Sequence, residues 1–469
     1  MKNATWPCRH KVPYPAMQTH RPKTPQTNYP PNSQCQDFLY NSERKTEILL
    51  FYCRLTFAAF RSAVELCYEY SNYITLTVIL VLVVFVLYKS YWCPVLYVKE
   101  LSDLGFEYVP AGPDRNTRIT RAQNARRLGS KLPPAYPNGW FAVVESSELR
   151  VGDVKPVEVL GLNLCVYRGD SGAPHVVDAY CPHLGAHLGG GSVSGDCVQC
   201  PFHKWSFDAT GRCNRVPGQE TAPRGVSIKT WETAEVDGAI WIWHDADDNP
   251  PKWTIDNAPE LQQWGYRGRN EFVVSSHIQD IPENGADVAH LNAVHSPSLL
   301  TNLGERYPFL LNFVGQHTWS AQWTKGEDHT ATMTLSHNYT FGKFSVFRID
   351  ALATQIGPAH VRLLIHTAFG PILISQSVTP LSPLEQKVIH RFFSPAYNAP
   401  LTAAFVRGES YMFERDVVIW NNKRFVSSPA YVKSDKTIRA FRSWYSQFYS
   451  EGSLSFRDAL RRHREPLDW

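Results

Sequence analysis

Two pairs of potential metal ligands, each pair within one short segment, constrain the fold of this chain more than any other feature. Cys181-x-His183 is followed, after sixteen residues, by Cys200-x-x-His203. A proline within each pair and several glycines after the first one allow each pair to sit on a tight loop. If the four side chains act together, the fold must bring two such loops to one point.

Two thiolates and two imidazoles are the ligands of a Rieske [2Fe–2S] centre, in which cysteines hold one iron and histidines hold the other. A structural zinc site is the alternative. Zinc usually draws two Cys from one segment and two His from another, whereas each segment here mixes the two ligand types. Ala186 and Phe202 occupy the positions that carry an extra cystine in respiratory-chain Rieske proteins. We therefore expect the lower-potential type, which delivers electrons to oxygen chemistry.

A second group of potential ligands begins about eighty residues further on, in Glu283-x-x-x-Asp287-x-x-His290-x-x-x-x-His295. Pro282 suits the first turn of a helix, on which Glu283, Asp287 and His290 would share a face. His295 would point about 140° away from His290 on an ideal helix, so both imidazoles reach one ion only if the helix unwinds near residues 293–294. Two His with a carboxylate form the facial triad of non-haem Fe(II). A surface helix with solvated acids is the alternative.

The carboxylate that would complete this second site is not fixed by spacing. Asp416 is the candidate because it stands in an apolar, helix-like run, FERDVVIW, over residues 413–420. Glu414 is the alternative, since two acids that are two residues apart on a helix point about 200° apart and cannot both face one ion. Exposed acids that form salt bridges with Arg407 or Arg415 are the remaining possibility.

The N-terminal region contains a candidate membrane segment. The nineteen residues 70–88 (YSNYITLTVILVLVVFVLY) carry no charge; as a helix they would span roughly 28 Å, close to the hydrocarbon thickness of a bilayer. With the aromatic residues that follow, they predict a single transmembrane helix over 70–92, and the arginines after residue 114 favour a cytoplasmic C-terminal side. Before it, region 1–69 combines a Pro-rich tail over 1–43, predicted to be disordered, with an apolar run over 48–60, predicted to be a surface or buried helix.

The rest of the chain is predicted to be a linker over 93–136 and two domains. Short strand-like runs predict a small all-β domain over 137–248; they are Trp140–Val144, Val157–Tyr167, His175–Ala179 and Ala239–His244. Residues 249–469 mix strand-like runs (271–277, 360–367) with helical ones (283–294, 399–421, 435–449). This mixture predicts an α+β catalytic domain, with an antiparallel sheet and helices.

The composition limits which partners and which compartment are expected for this chain. Forty-seven basic and 43 acidic residues give a net charge of +4, which argues against a nucleic-acid partner. Ten Cys in 469 residues are too few for a disulfide-based fold, so a reducing compartment is expected. No GxGxxG motif follows a strand, which indicates that NAD(P)H binds to a separate protein.

The sequence resembles the oxygenase component of Rieske-type non-haem iron oxygenases over about residues 137–450. The resemblance is carried by CPHLGAHLGGG, CVQCPFHKWSFD and ENGADVAHLNAVH. PNGWFAVVESSEL, the membrane segment and RSWYSQFYS make the chain similar to the animal Neverland-type cholesterol 7-desaturases, and similar also to bacterial ketosteroid hydroxylases.

The resemblance implies a membrane-anchored enzyme of steroid hormone biosynthesis that removes hydrogens from C7 and C8 of cholesterol. Electrons from NAD(P)H would arrive through a separate ferredoxin or reductase, pass to the [2Fe–2S] cluster and reach mononuclear Fe(II), where O₂ reacts. His290, His295 and Asp416 match the iron ligands. Asp287 matches an acid that bridges a cluster His and an iron His, across a subunit boundary in a homotrimer. The endoplasmic reticulum is the expected membrane, with the catalytic domain in the cytoplasm.

Two other functions remain open at this point. One is a Rieske hydroxylase that acts on another steroid or lipid. The other is a membrane-anchored Rieske electron-transfer protein with a vestigial second site, which the missing cystine positions and the complete second motif disfavour.

Overall fold

The computed structural model describes residues 34–127, 132–296, 315–341 and 343–464. Along the chain it consists of two units, one up to Val83 and one from Val84 onward. The helices are α1 (Gln34–Glu69), α2 (Ser71–Tyr91), α3 (Arg115–Arg127), α4 (Asp280–Glu283), α5 (Val288–Val294), α6 (Ala399–Asn422), α7 (Lys436–Tyr445) and α8 (Phe456–Arg464).

The strands are β1 (Val95–Lys99), β2 (Gly139–Glu145), β3 (Val154–Val159), β4 (Leu162–Arg168), β5 (Pro174–Asp178), β6 (Ser192–Ser194), β7 (Cys197–Gln199), β8 (Ser206–Phe207), β9 (Cys213–Arg215), β10 (Thr230–Trp231), β11 (Thr233–Val236), β12 (Ala239–His244), β13 (Gly265–Val274), β14 (Gln316–Lys325), β15 (Thr330–Phe341), β16 (Phe344–Ile356), β17 (His360–Thr367), β18 (Gly370–Ser382) and β19 (Glu385–Ser394). Single 3₁₀ turns occur at Leu101–Asp103, Ser146–Glu148, Leu188–Gly190, Pro259–Gln262, Ala396–Asn398, Lys433–Asp435 and Ser446–Phe448.

The N-terminal helices differ from the expected tail. Residues 1–33 of that tail lie outside the described residues, but residues 34–43, expected to be disordered, form the first turns of α1. No Pro or Gly occurs between Gln34 and Glu69, so nothing stops the helix from extending back from the apolar run at 48–60. Among the described residues, α2 is the one helix with the length and composition to cross a bilayer.

A small β-rich region carries the Cys/His loops. Its three sheets have the strand orders β10-β5-β4-β3, β11-β12-β2 and β6-β7-β8-β9. The expected single strand Val157–Tyr167 is wrong, because β3 and β4 form a hairpin across Leu160 and Gly161, whose φ angles are 56° and 68°. Two left-handed residues suit a two-residue hairpin turn, and Gly161 was its sequence signal.

The following region is built on one eight-stranded sheet in the order β1-β13-β19-β18-β17-β16-β15-β14. All neighbours are antiparallel except β1, which pairs in parallel with β13. Residues 93–136 are therefore more than the expected linker, because they supply an edge strand of this sheet. Helix α6 packs on the sheet through an apolar cluster in which the rings of Phe413 and Phe272 lie 4.9 Å apart.

Two buried ion pairs join the β-rich region to the large sheet. Arg391 of β19 places Nε 3.0 Å from both carboxylate oxygens of Glu145 of β2. Arg362 of β17 places Nε 2.7 Å from Oδ2 of Asp237, in the turn between β11 and β12. Glu145, Asp237 and Arg391 are buried. Charges so far from water are stable only while they stay paired.

Candidate functional site: two metal centres

The two Cys/His loops share one backbone geometry. In each loop the cysteine N–H donates to the carbonyl oxygen five residues on, and the N–H four residues on donates back to the cysteine carbonyl, all at 2.8–3.1 Å. The fifth residue of each loop, Gly185 after Cys181 and Lys204 after Cys200, has a left-handed φ, of 74° and 59°. The loops are therefore conformational equivalents, although their His residues differ in spacing by one position.

The side chains of these loops fit a [2Fe–2S] cluster. Cys181 and Cys200 are only 2% and 1% exposed. His183 and His203 are exposed, with their rings 4.7 Å apart, and Trp205 stacks on His183 at 4.3 Å. Thiolates on the inner side and imidazoles on the outer side match a cluster that has one iron of each ligand type.

The Cys181 thiol loses its proton only when the cluster binds. Burial, together with the neighbouring Cys200 thiol, raises the pKa of Cys181 to about 11. At neutral pH the metal-free thiol would stay protonated, so cluster binding must displace the proton.

The second centre starts at helix α5. Asp287 is its N-cap residue, and the carboxylate accepts a hydrogen bond from the backbone N–H of His290 at 3.2 Å. The main-chain oxygen of Asp287 lies 2.5 Å from Nδ1 of His290. A carbonyl can only accept, so Nδ1 carries the hydrogen and Nε2 is left with the lone pair that a metal requires.

His295 reaches the same point because α5 ends one residue before it. His295 is the C-cap, with φ −106° and ψ 5°, which is the unwinding that the spacing required. Its Nε2 lies 3.1 Å from Oδ2 of Asp416, and its Nδ1 has no hydrogen-bond partner among the described residues. Ligand atoms of His290, His295 and Asp416 all lie within 4.8 Å of one another. Two imidazoles and one carboxylate with this spacing fit a single Fe(II) ion.

Glu414, the alternative third ligand, faces away from the histidines. Its carboxylate accepts a hydrogen bond from the Tyr97 hydroxyl at 2.5 Å and lies 3.3 Å from Nζ of Lys99. Both partners are on β1. Of the two acids, only Asp416 lies with His290 and His295.

Glu283 does not share a helical face with Asp287, contrary to our expectation. Helix α4 ends at Glu283, and the backbone of Asp287 (φ −92°, ψ 83°) is not helical, so the motif is divided between two short helices. The carboxylate of Glu283 forms a two-point ion pair with Arg442 of α7, at 2.6 and 2.8 Å. Glu283 therefore joins α4 to α7.

Strand β14 supports α5 through residues that the motif analysis missed. The Asn292 side chain accepts from the backbone N–H of Trp319 and donates to its carbonyl oxygen, both at 2.9 Å. The indole N–H of Trp319 donates to the carbonyl oxygen of His295 at 3.3 Å. No local pattern could have paired these residues, because they are 27 positions apart.

The three metal-ligand candidates open into a cavity with about 1110 Å³ of space not filled by atoms, its mouth included. The wall is mainly apolar and includes Leu291, Trp319, Trp323, Met333, Leu363, Ile374 and Phe413. Away from the triad, His390 and Glu409 add polar groups to the wall. An apolar cavity with a few polar groups suits a largely hydrophobic ligand.

Comparisons with known proteins agree with this geometry. Residues 139–232 match the family model of the Rieske [2Fe-2S] domain, and residues 242–449 match that of the 3-ketosteroid 9alpha-hydroxylase C-terminal domain. The chain is 58% identical to a cholesterol 7-desaturase of Bombyx mori over 439 residues, which cover 93% of this chain and 96% of that one.

Two further relatives extend the comparison. A cholesterol 7-desaturase of Drosophila melanogaster is 43% identical over 70% of this chain and 79% of its own length. The oxygenase component of a 3-ketosteroid-9-alpha-monooxygenase of Mycolicibacterium smegmatis is 27% identical over 68% of this chain and 84% of its own. The chain belongs to the cholesterol 7-desaturase family of Rieske non-haem iron oxygenases, oxidoreductases that combine a [2Fe–2S] cluster with a mononuclear iron.

Proposed function

We propose that this protein converts cholesterol to 7-dehydrocholesterol. Cholesterol loses one hydrogen from C7 and one from C8, and O₂, NAD(P)H and a proton are consumed to give two waters and NAD(P)⁺. The observation that carries the proposal is the triad of His290, His295 and Asp416, which opens into an apolar cavity. The identity of 58% to a cholesterol 7-desaturase supports the choice of substrate.

The roles of the side chains follow from their positions. We assign the cluster to Cys181, His183, Cys200 and His203, and the mononuclear Fe(II) to His290, His295 and Asp416. When bound, these groups supply one-electron storage and the activation of O₂. The chain orients His290 through the main-chain oxygen of Asp287, and the apolar wall of the cavity keeps water from the reacting carbons.

Asp287 is proposed to connect the two centres across a subunit boundary in a homotrimer. Exposure of His183 and His203 at the surface supports this arrangement, because a neighbouring protomer can reach them. The half-buried Asp287 carboxylate stands beside His290. Co-expression of the inactive variants Cys181→Ser and Asp416→Ala tests it: mixed oligomers should regain part of the activity, whereas transfer within one chain would leave them inactive.

Helix α2 is proposed to anchor the protein in the endoplasmic reticulum membrane, with the chain after residue 92, including the catalytic domain, in the cytoplasm. A sterol partitions into bilayers, so an anchored enzyme has access to its substrate. Carbonate extraction should leave the full chain in the membrane pellet. Removal of residues 1–92 should release a folded protein, because β1 begins only at Val95. Release of the full chain by carbonate would contradict the anchor.

We propose that the chain is divided into five parts. They are the N-terminal region 1–69, the anchor 70–92, the segment 93–136, the Rieske domain 137–248 and the catalytic domain 249–469. We assign β1 to the catalytic domain because it pairs with β13. A separate ferredoxin or reductase would bring the electrons.

Incubation of the purified protein with cholesterol, NADPH and a reductase tests the function. We expect about three irons and two labile sulfides per chain, from one cluster and one mononuclear site. The sterol product should have lost two hydrogens. A product that has gained one oxygen would instead identify a hydroxylase. A cluster without mononuclear iron and without product would identify an electron-transfer protein.

A further inference from the structure

We propose that His390 and Glu409 bind the 3-hydroxyl group of the sterol and thereby select 3-hydroxysteroids over 3-ketosteroids. The inference rests on the proposed function and identifies the part of the same cavity that recognises the polar end of the substrate. It follows from the strand register, from unpaired polar atoms and from the spacing along α6.

Three polar side chains stand side by side on one face of the large sheet. The register places His390 of β19 between Asn270 of β13 and Gln376 of β18. Residues two positions away share a face of a strand, and on β19 these neighbours are the buried, apolar Val388 and Phe392. Burying polar side chains among apolar ones costs free energy of folding unless the polar groups form hydrogen bonds.

Helix α6 brings a carboxylate to this row. Oε1 of Glu409 lies 2.8 Å from Nδ1 of His390, and the other carboxylate oxygen accepts a hydrogen bond from the Asn270 amide. Although this distance is short, the orientation of the His390 ring relative to the carboxylate does not suit a hydrogen bond. Neither ring nitrogen of His390 therefore has a hydrogen-bond partner among the described residues. His390 is nevertheless only 4% exposed.

A sterol hydroxyl supplies the partner that this buried imidazole lacks. When Nδ1–H turns toward the Glu409 carboxylate, Nε2 becomes an acceptor for the hydroxyl hydrogen. The amide of Gln376, adjacent across the strands and on the cavity wall, can donate to the hydroxyl oxygen. A ketone or an ether oxygen has no hydrogen to donate, so it leaves Nε2 unpaired. A buried polar group left unpaired is a strong basis for discrimination.

The spacing along α6 fits a sterol. Glu409 and Asp416 are seven residues apart, which is almost two full turns, so they project from nearly the same face about 10 Å apart. Both lie on the cavity wall. In cholesterol, the 3-oxygen and C7 are separated by five bonds, one of them the C5=C6 double bond, in an extended zigzag of roughly 6 Å in all. A hydroxyl held within about 3 Å of His390 therefore leaves C7 within reach of the triad.

Equilibrium binding of a fluorescent sterol tests the inference without turnover. The probes are dehydroergosterol, which has a 3-hydroxyl, and its 3-O-methyl ether, titrated into the metal-loaded full chain. We expect the wild-type protein to bind the sterol roughly 10- to 100-fold more tightly than the ether. His390→Leu and Glu409→Gln should lower the affinity for the sterol to that for the ether, and leave the affinity for the ether unchanged.

Glu414→Gln is the matched control, because it changes an acid on the same helix that faces β1. It should leave both affinities as in the wild type. Equal binding of the two probes by the wild type would overturn the inference, as would variants that weaken both probes alike. If cholesterol is converted but the probes bind equally, only this inference fails. If the probes are discriminated but cholesterol is not converted, the proposed reaction fails instead.

Discussion

The two metal centres of this chain are assembled in opposite ways. The proposed cluster ligands lie between residues 181 and 203, on two loops that repeat one hydrogen-bond pattern. The triad draws its carboxylate from a helix 121 residues beyond His295 and depends on a helix end, a cap and a supporting strand. A site that is built locally depends on its own loops, whereas a site assembled from distant elements is sensitive to packing far from the ligands. The variants below test this contrast.

Loss of the long-range ligand should have the largest effect. Asp416→Ala removes one of the three proposed ligands of the triad, so we expect loss of mononuclear iron and a fall in desaturation of at least about 100-fold. The cluster's visible absorption should persist, because no cluster ligand changes. Glu414→Ala is the control and should keep both metal sites. Iron loss from the Glu414 variant alone would place the third ligand wrongly.

Loss of a local ligand should give the opposite pattern. Cys181→Ser removes a buried, proposed cluster ligand, so the visible absorption and labile sulfide should disappear while one iron per chain remains at the triad. Activity should fall below detection. Cys197→Ser, on the neighbouring β7, should leave the absorption unchanged. If the triad iron is lost together with the cluster, the two centres are not assembled independently.

Asp287 contacts His290 through both its backbone and its carboxylate, and the two contacts have different roles. The imidazole of His290 is held by the main-chain oxygen, which survives any substitution, while the carboxylate caps α5. We expect Asp287→Ala to retain both metals and to stop turnover.

Asp287→Asn separates the two roles of the carboxylate, since asparagine also caps helices well. Asn should recover the roughly 1 kcal/mol of stability that Ala loses, measured by chemical denaturation, but no activity. Normal turnover in the Asn variant would remove the charge of Asp287 from the mechanism.

Support from β14 should matter at the triad and nowhere else. Asn292→Ala removes two hydrogen bonds to the backbone of Trp319, so α5 is held less firmly on the strand, although the bond from the Trp319 indole to His295 remains. We expect iron affinity at the triad to fall about 10-fold, measured by competition with a chelator, with the cluster absorption unchanged. Thr324→Ala, at the exposed end of the same strand, serves as the control. An unchanged iron affinity would show that α5 is positioned by its caps alone.

The smallest effect concerns the symmetry of the cluster loops. Lys204 adopts the left-handed backbone that Gly185 adopts in the equivalent loop. Lys204→Gly should therefore stabilise the protein by up to about 1 kcal/mol, and Gly185→Ala should destabilise it by a similar amount. Thermal unfolding followed at the cluster's absorption band measures both. Shifts in the same direction would show that the loops are not equivalent.

The same contrast separates what the sequence could predict from what it could not. The helix end at His295, and the conclusion that Asp416 and Glu414 cannot both face one ion, could be argued from helical geometry, since five and two residues have fixed angular consequences. The preference for Asp416 came from the apolar run around it. The partnership of Glu283 with Arg442 could not be predicted, because 159 residues separate them. Likewise, β1 is only five residues long and is a strand because it pairs with β13. No sequence pattern near β1 predicts that distant pairing.

The long strands β14 to β16 and β18 to β19 were not anticipated either. Burial alternates along β14 and along the second half of β16, whereas parts of β18 and β19 are buried on both faces. A strand that is covered on both sides lacks the two-residue period on which sequence reasoning depends.

The ion pairs Glu145–Arg391 and Asp237–Arg362 bear on how this chain can be dissected or recombined. A fragment that ends near residue 248 would keep both acids and lose both arginines, and separating a buried pair costs about 3–5 kcal/mol. That loss rivals the whole stability of many domains. The two halves are therefore poor candidates for separate expression. We therefore expect a chimera with the iron–sulfur half of a relative to fold only if that half carries acids at the positions of Glu145 and Asp237, where they can pair with Arg391 and Arg362.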